Sequence, residues 1–259
     1  MLLLIDFEAT SVDPKTARII EIGAAIVNKD FSHIGLGCQL SQLVWDSNYP
    51  ALTPEVVEVT HITQDMLCDG AVEPALAFGH LAQMCAKAPI EYVIAYNRKY
   101  DETLFREEML RHNLGLLPGI NLLLQTPWVC AMEDIEPNYK FKSWKQMHVA
   151  LEYGITVNPK ELHRAIADVE LMRNILKESG TTPEEMYQFQ ISPWMYIAAN
   201  VKPPWTDGGK SSTEAKALGF KWQQCGDDRV FDKTWVKRIK PHQLADLQNK
   251  TTLLLKEIK

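Results

Sequence analysis

The sequence predicts an α/β domain over residues 1–190, a mixed β-sheet flanked by helices, followed by a small basic α+β module over residues 191–259. Three observations point that way. Strand-like segments come first and then alternate with helix-like ones, the order of a mixed sheet with helical cover. The stretch 201–212, VKPPWTDGGKSS, has the composition of a linker or long loop. Charge is divided unevenly: residues 1–194 hold 15 Lys and Arg against 26 Asp and Glu, whereas residues 195–259 hold 12 against 7.

Residues 2–9 read as a strand that begins the fold, 19–28 as a second, and 34–42 as a weaker third, with Asp13-Pro14 and Lys29-Asp30 as turns between them. Thr53 and Pro54 have the chemistry of an N-cap and a first helical residue. Residues 74–87 are expected to be helical, and YVIAY at 92–96 a short strand. Residues 99–112 show helical spacing through Leu104, Phe105, Met109 and Leu110. A strand is expected at 128–132. Ser143 is expected to cap a helix that runs to Tyr153 and stops at Gly154. Residues 164–178 form a further helix. In the module, 213–218 reads as helix, and 220–223 and 230–236 as strands around the turn Gly226-Asp227-Asp228.

Composition narrows the class. Net charge is −6 and the sequence pI about 5.7, against a whole-surface grip on duplex DNA. No apolar run approaches the roughly 18–20 residues of a membrane span. The opening MLLLIDFEAT lacks the basic region and length of a signal peptide. Five scattered cysteines without C-x-x-C or zinc spacing suggest reduced thiols in a cytoplasmic protein.

Side chains alternate faces along a strand, so Leu2, Leu4, Asp6 and Glu8 share one face and Leu3, Ile5 and Phe7 the other. Two carboxylates therefore end a strand that is apolar on both sides. A divalent cation between them would offset the cost of leaving both charged; so would emergence at a solvated strand end. Asp101 shares a helix face with Leu104 and Phe105, and also suits a first helical turn. Asp168 lies on the apolar stripe of Leu171, Met172 and Ile175, so it points inward and needs a partner. His163 precedes that helix and belongs to the loop before it.

The order of these pieces is more specific than any one of them. D-x-E on the first strand, then Y-N-x-x-x-D ending at Asp101, then H-x-x-x-x-D ending at Asp168 resemble the DnaQ-like, or DEDDh, 3′→5′ exonuclease family over residues 1–180. Thr60-His61-Ile62-Thr63 is similar to the family's H-x-I-T segment, with one residue missing. The chain looks most like exonuclease X-type enzymes and proofreading subunits. The resemblance implies an RNase H-like fold, with two divalent cations, Mg²⁺ or Mn²⁺, on Asp6, Glu8, Asp101 and Asp168. It implies His163 as general base, backbone groups of Ala9 and Thr10 at the terminal 3′-hydroxyl, and His61 and Asn97 beside them. Single-stranded DNA or DNA 3′ ends are the implied substrate. An RNA exonuclease of the RNase T or oligoribonuclease kind is the alternative, and a non-catalytic nucleic-acid-binding module a third. In the basic module, Trp194, Trp205, Trp222 and Trp235 either form the core of a βαββ unit or stack single strands beside its lysines.

Overall fold

The first strand explains the layering. β1 (Leu2–Ala9) is apolar on both faces over its first residues, so it requires cover on each side of the sheet. The computed structural model, which describes residues 1–35, 37–135, 141, 143–158, 163–224 and 233–258, provides that cover. The chain divides into two compact units, Met1–Gln190 and Ile191–Lys259.

In the first unit, β1 is followed by β2 (Ile19–Val27) and β3 (Gln39–Leu43), then α1 (Pro54–Thr60), α2 (Gln64–Gly70) and α3 (Pro74–Cys85). Next come β4 (Tyr92–Ala95), α4 (Arg98–Arg111), α5 (Pro118–Gln125), β5 (Trp128–Cys130), α6 (Gln146–Glu152), α7 (Ala165–Ser179) and α8 (Pro183–Ile191). Among the described residues the sheet order is β3-β2-β1-β4-β5. β1 runs antiparallel to β2 and parallel to β4, which makes the sheet mixed, as the element order predicts. Leu3, Ile5 and Phe7 pack with Phe78 of α3 and Leu104 and Phe105 of α4. Leu2 and Leu4 pack on the other face with Val149 of α6 and Val169, Met172 and Ile175 of α7.

Thr53 caps α1, its hydroxyl accepting from the Val56 N–H, and Pro54 stands in the first turn. The third strand lies later than 34–42, because Gly35 and Gly37 take positive φ angles of 137° and 80° and break extension there. Ser143 is not the cap of α6. Its hydroxyl accepts from the Lys145 N–H in a local turn, and the helix begins at Gln146. Gly154, at φ 73°, ends that region as expected.

The second unit comprises β6 (Met195–Asn200), α9 (Pro204–Asp207), α10 (Lys210–Ala217), β7 (Lys221–Gln224), β8 (Lys233–Ile239), α11 (Gln243–Asn249) and β9 (Leu254–Ile258). Its sheet, in the order β7-β8-β6-β9, is antiparallel throughout, one strand larger than a βαββ unit. The stretch 201–212 is not a plain linker: it holds α9 and the start of α10, joined by the Asp207 carboxylate accepting from the Gly209 and Ser211 N–H groups. Ile197, Ala199, Ala215, Phe220, Ile239 and Leu247 form the buried core. Of the four tryptophans only Trp235 packs against it, partly buried; Trp194, Trp205 and Trp222 are exposed. Cys225 and the Gly226-Asp227-Asp228 turn lie outside the described residues. No helix among those described is long and apolar enough to cross a membrane.

A close approach of helix to strand fixes where α7 begins. α7 lies against β2 at Gly23, where an added Cβ would stand 2.2 Å from the carbonyl carbon of Ala165. Gly23 pairs with Asp6 across the β1–β2 ladder. Gly23→Ala should push the start of α7 off the sheet and cost about 1–3 kcal/mol, read as a lower melting temperature. An unchanged melt would show that the helix has slack here.

Candidate active site

The alternation that buries Leu2 and Leu4 under α7 carries Asp6 and Glu8 to the same face, at the end of β1. α7 brings its first turn over that end, so Asp168 arrives opposite them. Carboxylate oxygens of Asp6, Glu8 and Asp168 lie within 4.8 Å of one another. Each of these side chains is half-buried. Asp101 comes from a different layer. β4 is parallel to β1, so both strands finish at the same edge of the sheet, and the chain turns there into α4. Asp101 sits in the first turn of α4, only 3% exposed, and is the like-charged group that acts most strongly on Asp6.

The proton affinity of all four acids is raised, and at Asp6 and Glu8 the like charge of the other acids adds to it. Burial is the first cause in every case. Asp6 is pushed well above the usual carboxylate range, with Asp101, Glu8 and Asp168 adding to the effect of burial. Glu8 is pushed up to about 8 by burial and by Asp168, Glu21 and Asp101. Asp101 is also pushed up to about 8, and Asp168 to about 6 by burial, against the opposing pull of His163. The donor set is oxygen only, which suits hard cations such as Mg²⁺ and Mn²⁺.

His163 is exposed and precedes α7 in a left-handed conformation, φ 62°. Its backbone N–H donates to Asp168 Oδ2 at 3.1 Å, so the loop and the helix acid are tied together. The remaining expected residues have local roles. Thr10 closes the β1–β2 connection: its N–H donates to the Arg18 carbonyl and its hydroxyl accepts from the Arg18 N–H, both at 2.9 Å. Ala9 stands beside the register shift that ends the ladder. His61 ends α1 in a left-handed conformation with an exposed side chain. Asn97 precedes α4, its carbonyl accepting from the Tyr100 and Asp101 N–H groups while its side chain caps nothing.

Glu21, absent from the expected set, is central. It is 1% exposed and pairs with Glu8 across the ladder. Its carboxylate takes a forked bond from Arg164, at 2.7 and 3.1 Å, and a third from the Ala165 N–H at 3.0 Å. One buried acid thus anchors the chain between His163 and Asp168. The signal is a single acid inside the apolar strand IIEIGAAIV. Tyr100 likewise holds the segment after β1, its hydroxyl donating to the Ser11 carbonyl at 2.6 Å. Glu21→Gln should cost about 1.5–3 kcal/mol, the range for a bond to a charged group. Any nuclease turnover should fall by roughly 10–10²-fold through displacement of the α7 start. A variant with parental melting and turnover would remove Glu21 from this role.

A mixed five-stranded sheet with helices on both faces and acids gathered where β1 and β4 end defines an RNase H-like scaffold of the exonuclease kind. The sequence matches the RNase T exonuclease family over residues 3–176, and the chain belongs to that family. Exonuclease I, in a structure described as suggesting how processivity is achieved, has a similar fold, with a TM-score of 0.61 at 16% identity over 79% of this chain and 49% of that one. E. coli exonuclease I in complex with a dA16 oligonucleotide gives 0.60 at 14% identity, over 98% and 64%. Exonuclease X in complex with 5′-overhanging duplex DNA gives 0.51 at 21% identity, over 73% and 99%. This chain therefore spans about half the length of exonuclease I in the first match. The sequence has no significant match among curated proteins.

Proposed function

We propose that the protein is a DEDDh-type 3′→5′ exonuclease that releases nucleoside monophosphates from the 3′ ends of DNA, single-stranded or frayed, with residues 1–190 as the catalytic domain. The observation that carries this reading is the convergence of Asp6, Glu8 and Asp168 within 4.8 Å, with Asp101 buried in the first turn of α4 and acting on Asp6 as its strongest like-charged neighbour. Asp6 and Glu8 with Asp168 form one set of oxygen ligands, and Asp6 with Asp101 a second. Two divalent cations held there would supply charge neutralisation at both the attacking and the leaving oxygen of an in-line phosphoryl displacement. A ring nitrogen of His163 takes the proton of the attacking water, a role imidazole suits near neutral pH. The backbone at Ala9 receives the 3′-hydroxyl; Thr10 does so only if its bond to Arg18 yields. His61 and Asn97 flank the terminal nucleotide. Four unpaired cysteines among the described residues, two of them buried, fit a reducing cytoplasm.

DNA labelled at its 5′ end tests polarity, metal and product together. With Mg²⁺ or Mn²⁺ the label should shorten one nucleotide at a time, and chelator should abolish shortening. Release of the label as mononucleotide in the first turnover would show the opposite polarity. Full activity in excess chelator would sink the metal assignment. A matched RNA that is shortened faster than the DNA would favour the RNA alternative, since choice between the two rests on contacts to the 2′-hydroxyl.

A further inference from the structure

The second unit carries a cleft of about 470 Å³ that its core does not require. Four separate segments line it. Lys202 and Trp205 come from the entry to α9, Lys216 from α10, and Trp222 and Trp235 from the facing strands β7 and β8. Trp222 and Trp235 are direct partners in the ladder, with ring centroids 5.8 Å apart. The Lys216 ammonium lies 5.9 Å from the Trp235 ring centroid. Trp205 is 86% exposed and Trp222 56% exposed, so two large apolar faces are open to solvent in one place. Solvated indoles gathered at a cleft mark a contact surface more often than a packing defect.

The charge says what kind of contact. Among the described residues, two lysines line the cleft and no carboxylate does. They belong to residues 195–259, which hold 12 Lys and Arg against 7 Asp and Glu in a chain of net charge −6. Exposed flat rings with flanking cations fit a ligand that is both anionic and aromatic. A single strand of nucleic acid offers unpaired bases for the rings and phosphates for the lysines. A duplex hides its base faces by stacking, and a proline-rich peptide gives the lysines nothing to meet.

We propose that this cleft is a second nucleic-acid site, stacking unpaired bases of a single strand on Trp205 and Trp222 while Lys202 and Lys216 meet its phosphates. The choice of a nucleic acid over other anionic aromatic ligands rests on the nuclease reading of the first unit. The full chain is titrated in chelator with a labelled oligothymidylate, so that binding is measured without hydrolysis. Trp205→Ala should weaken binding by roughly 5- to 150-fold, the range for one stacked base. Trp205→Tyr, which keeps an aromatic face, should restore most of it. The double variant Lys202→Ala/Lys216→Ala should reduce the slope of log affinity on log salt by about 1.4. Parental affinity in Trp205→Ala, or equal weakening in the Ala and Tyr variants, would overturn the proposal. So would a proline-rich peptide that displaces the oligonucleotide in a Trp205-dependent way. A parent that fails to cleave yet binds through Trp205 supports the cleft and removes the nuclease reading; one that cleaves and binds independently of Trp205 does the reverse.

Discussion

Asp6→Asn should leave the protein folded, more stable without metal, and devoid of nuclease turnover. The loss of turnover follows from position. Asp6 lies on the face of β1 that meets α7, beside Glu8 and Asp168, and Asp101 is the strongest like-charged influence on it. On the two-cation proposal, it is the acid best placed to serve both. An amide keeps the shape and removes the charge, so the lattice of contacts around Leu4 and Gly23 survives.

The gain in stability has a definite pH window. Glu8 and Asp101 are pushed up to about 8 and Asp168 to about 6, whereas carboxylates of an unfolded chain titrate near 4. Without metal, the folded protein therefore holds protons that the unfolded chain has released. Stability then falls as pH rises from roughly 4, and the full penalty is present above about 8. The melting temperature of metal-free parent should decline across that window. Mg²⁺ or Mn²⁺ should restore it, and by more at pH 8 than at pH 6, because the ligands must be deprotonated to bind. Asp6→Asn should flatten the decline, raise the metal-free melting temperature at pH 8 by roughly 2–4 °C per kcal/mol relieved, and lose most of the stabilisation by metal. Turnover at the parental rate, or a metal-free melt as steep in pH as the parent's, would overturn the placement of Asp6 at the centre of the cluster.

What the sequence discloses depends on how local the cause is. The alternation along β1 states which residues face α7 and which face α4 before any partner is known. The stripe of Asp168, Leu171, Met172 and Ile175 states that one acid turns inward. The order of three short motifs then brings the acids into one family pattern. Glu21 escapes this reasoning because its meaning is non-local. Its partners, Arg164 and Ala165, lie 143 and 144 residues away, and only the β1–β2 register sets it opposite Glu8. The module is less legible for a related reason. β6 and β9 are neighbours in its sheet but lie at opposite ends of its sequence. Ser143 shows the converse error: a good cap residue satisfies a turn three residues before the helix begins.

His163→Asn should bind metal and substrate nearly as the parent does, keep its melting temperature, and turn over roughly 10²–10⁴-fold more slowly, the usual share of a positioned general base. The choice of asparagine comes from the backbone. His163 has a φ of 62°, a conformation that Asn accepts more readily than most residues and alanine resists. Its bond to Asp168 runs from the backbone N–H, so any side chain retains it. His163→Ala therefore mixes two effects, loss of the imidazole and strain at a left-handed residue, whereas the asparagine variant isolates the first. The rival account makes His163 only the residue that starts α7 correctly, in the place where Glu21 and Arg164 fix the chain. That account expects Ala to lower the melting temperature, Asn to spare it, and both to retain turnover at saturating substrate. Single-turnover cleavage and thermal melting on the two variants separate the accounts. A normal cleavage rate in His163→Asn would move the base elsewhere and leave His163 a structural residue.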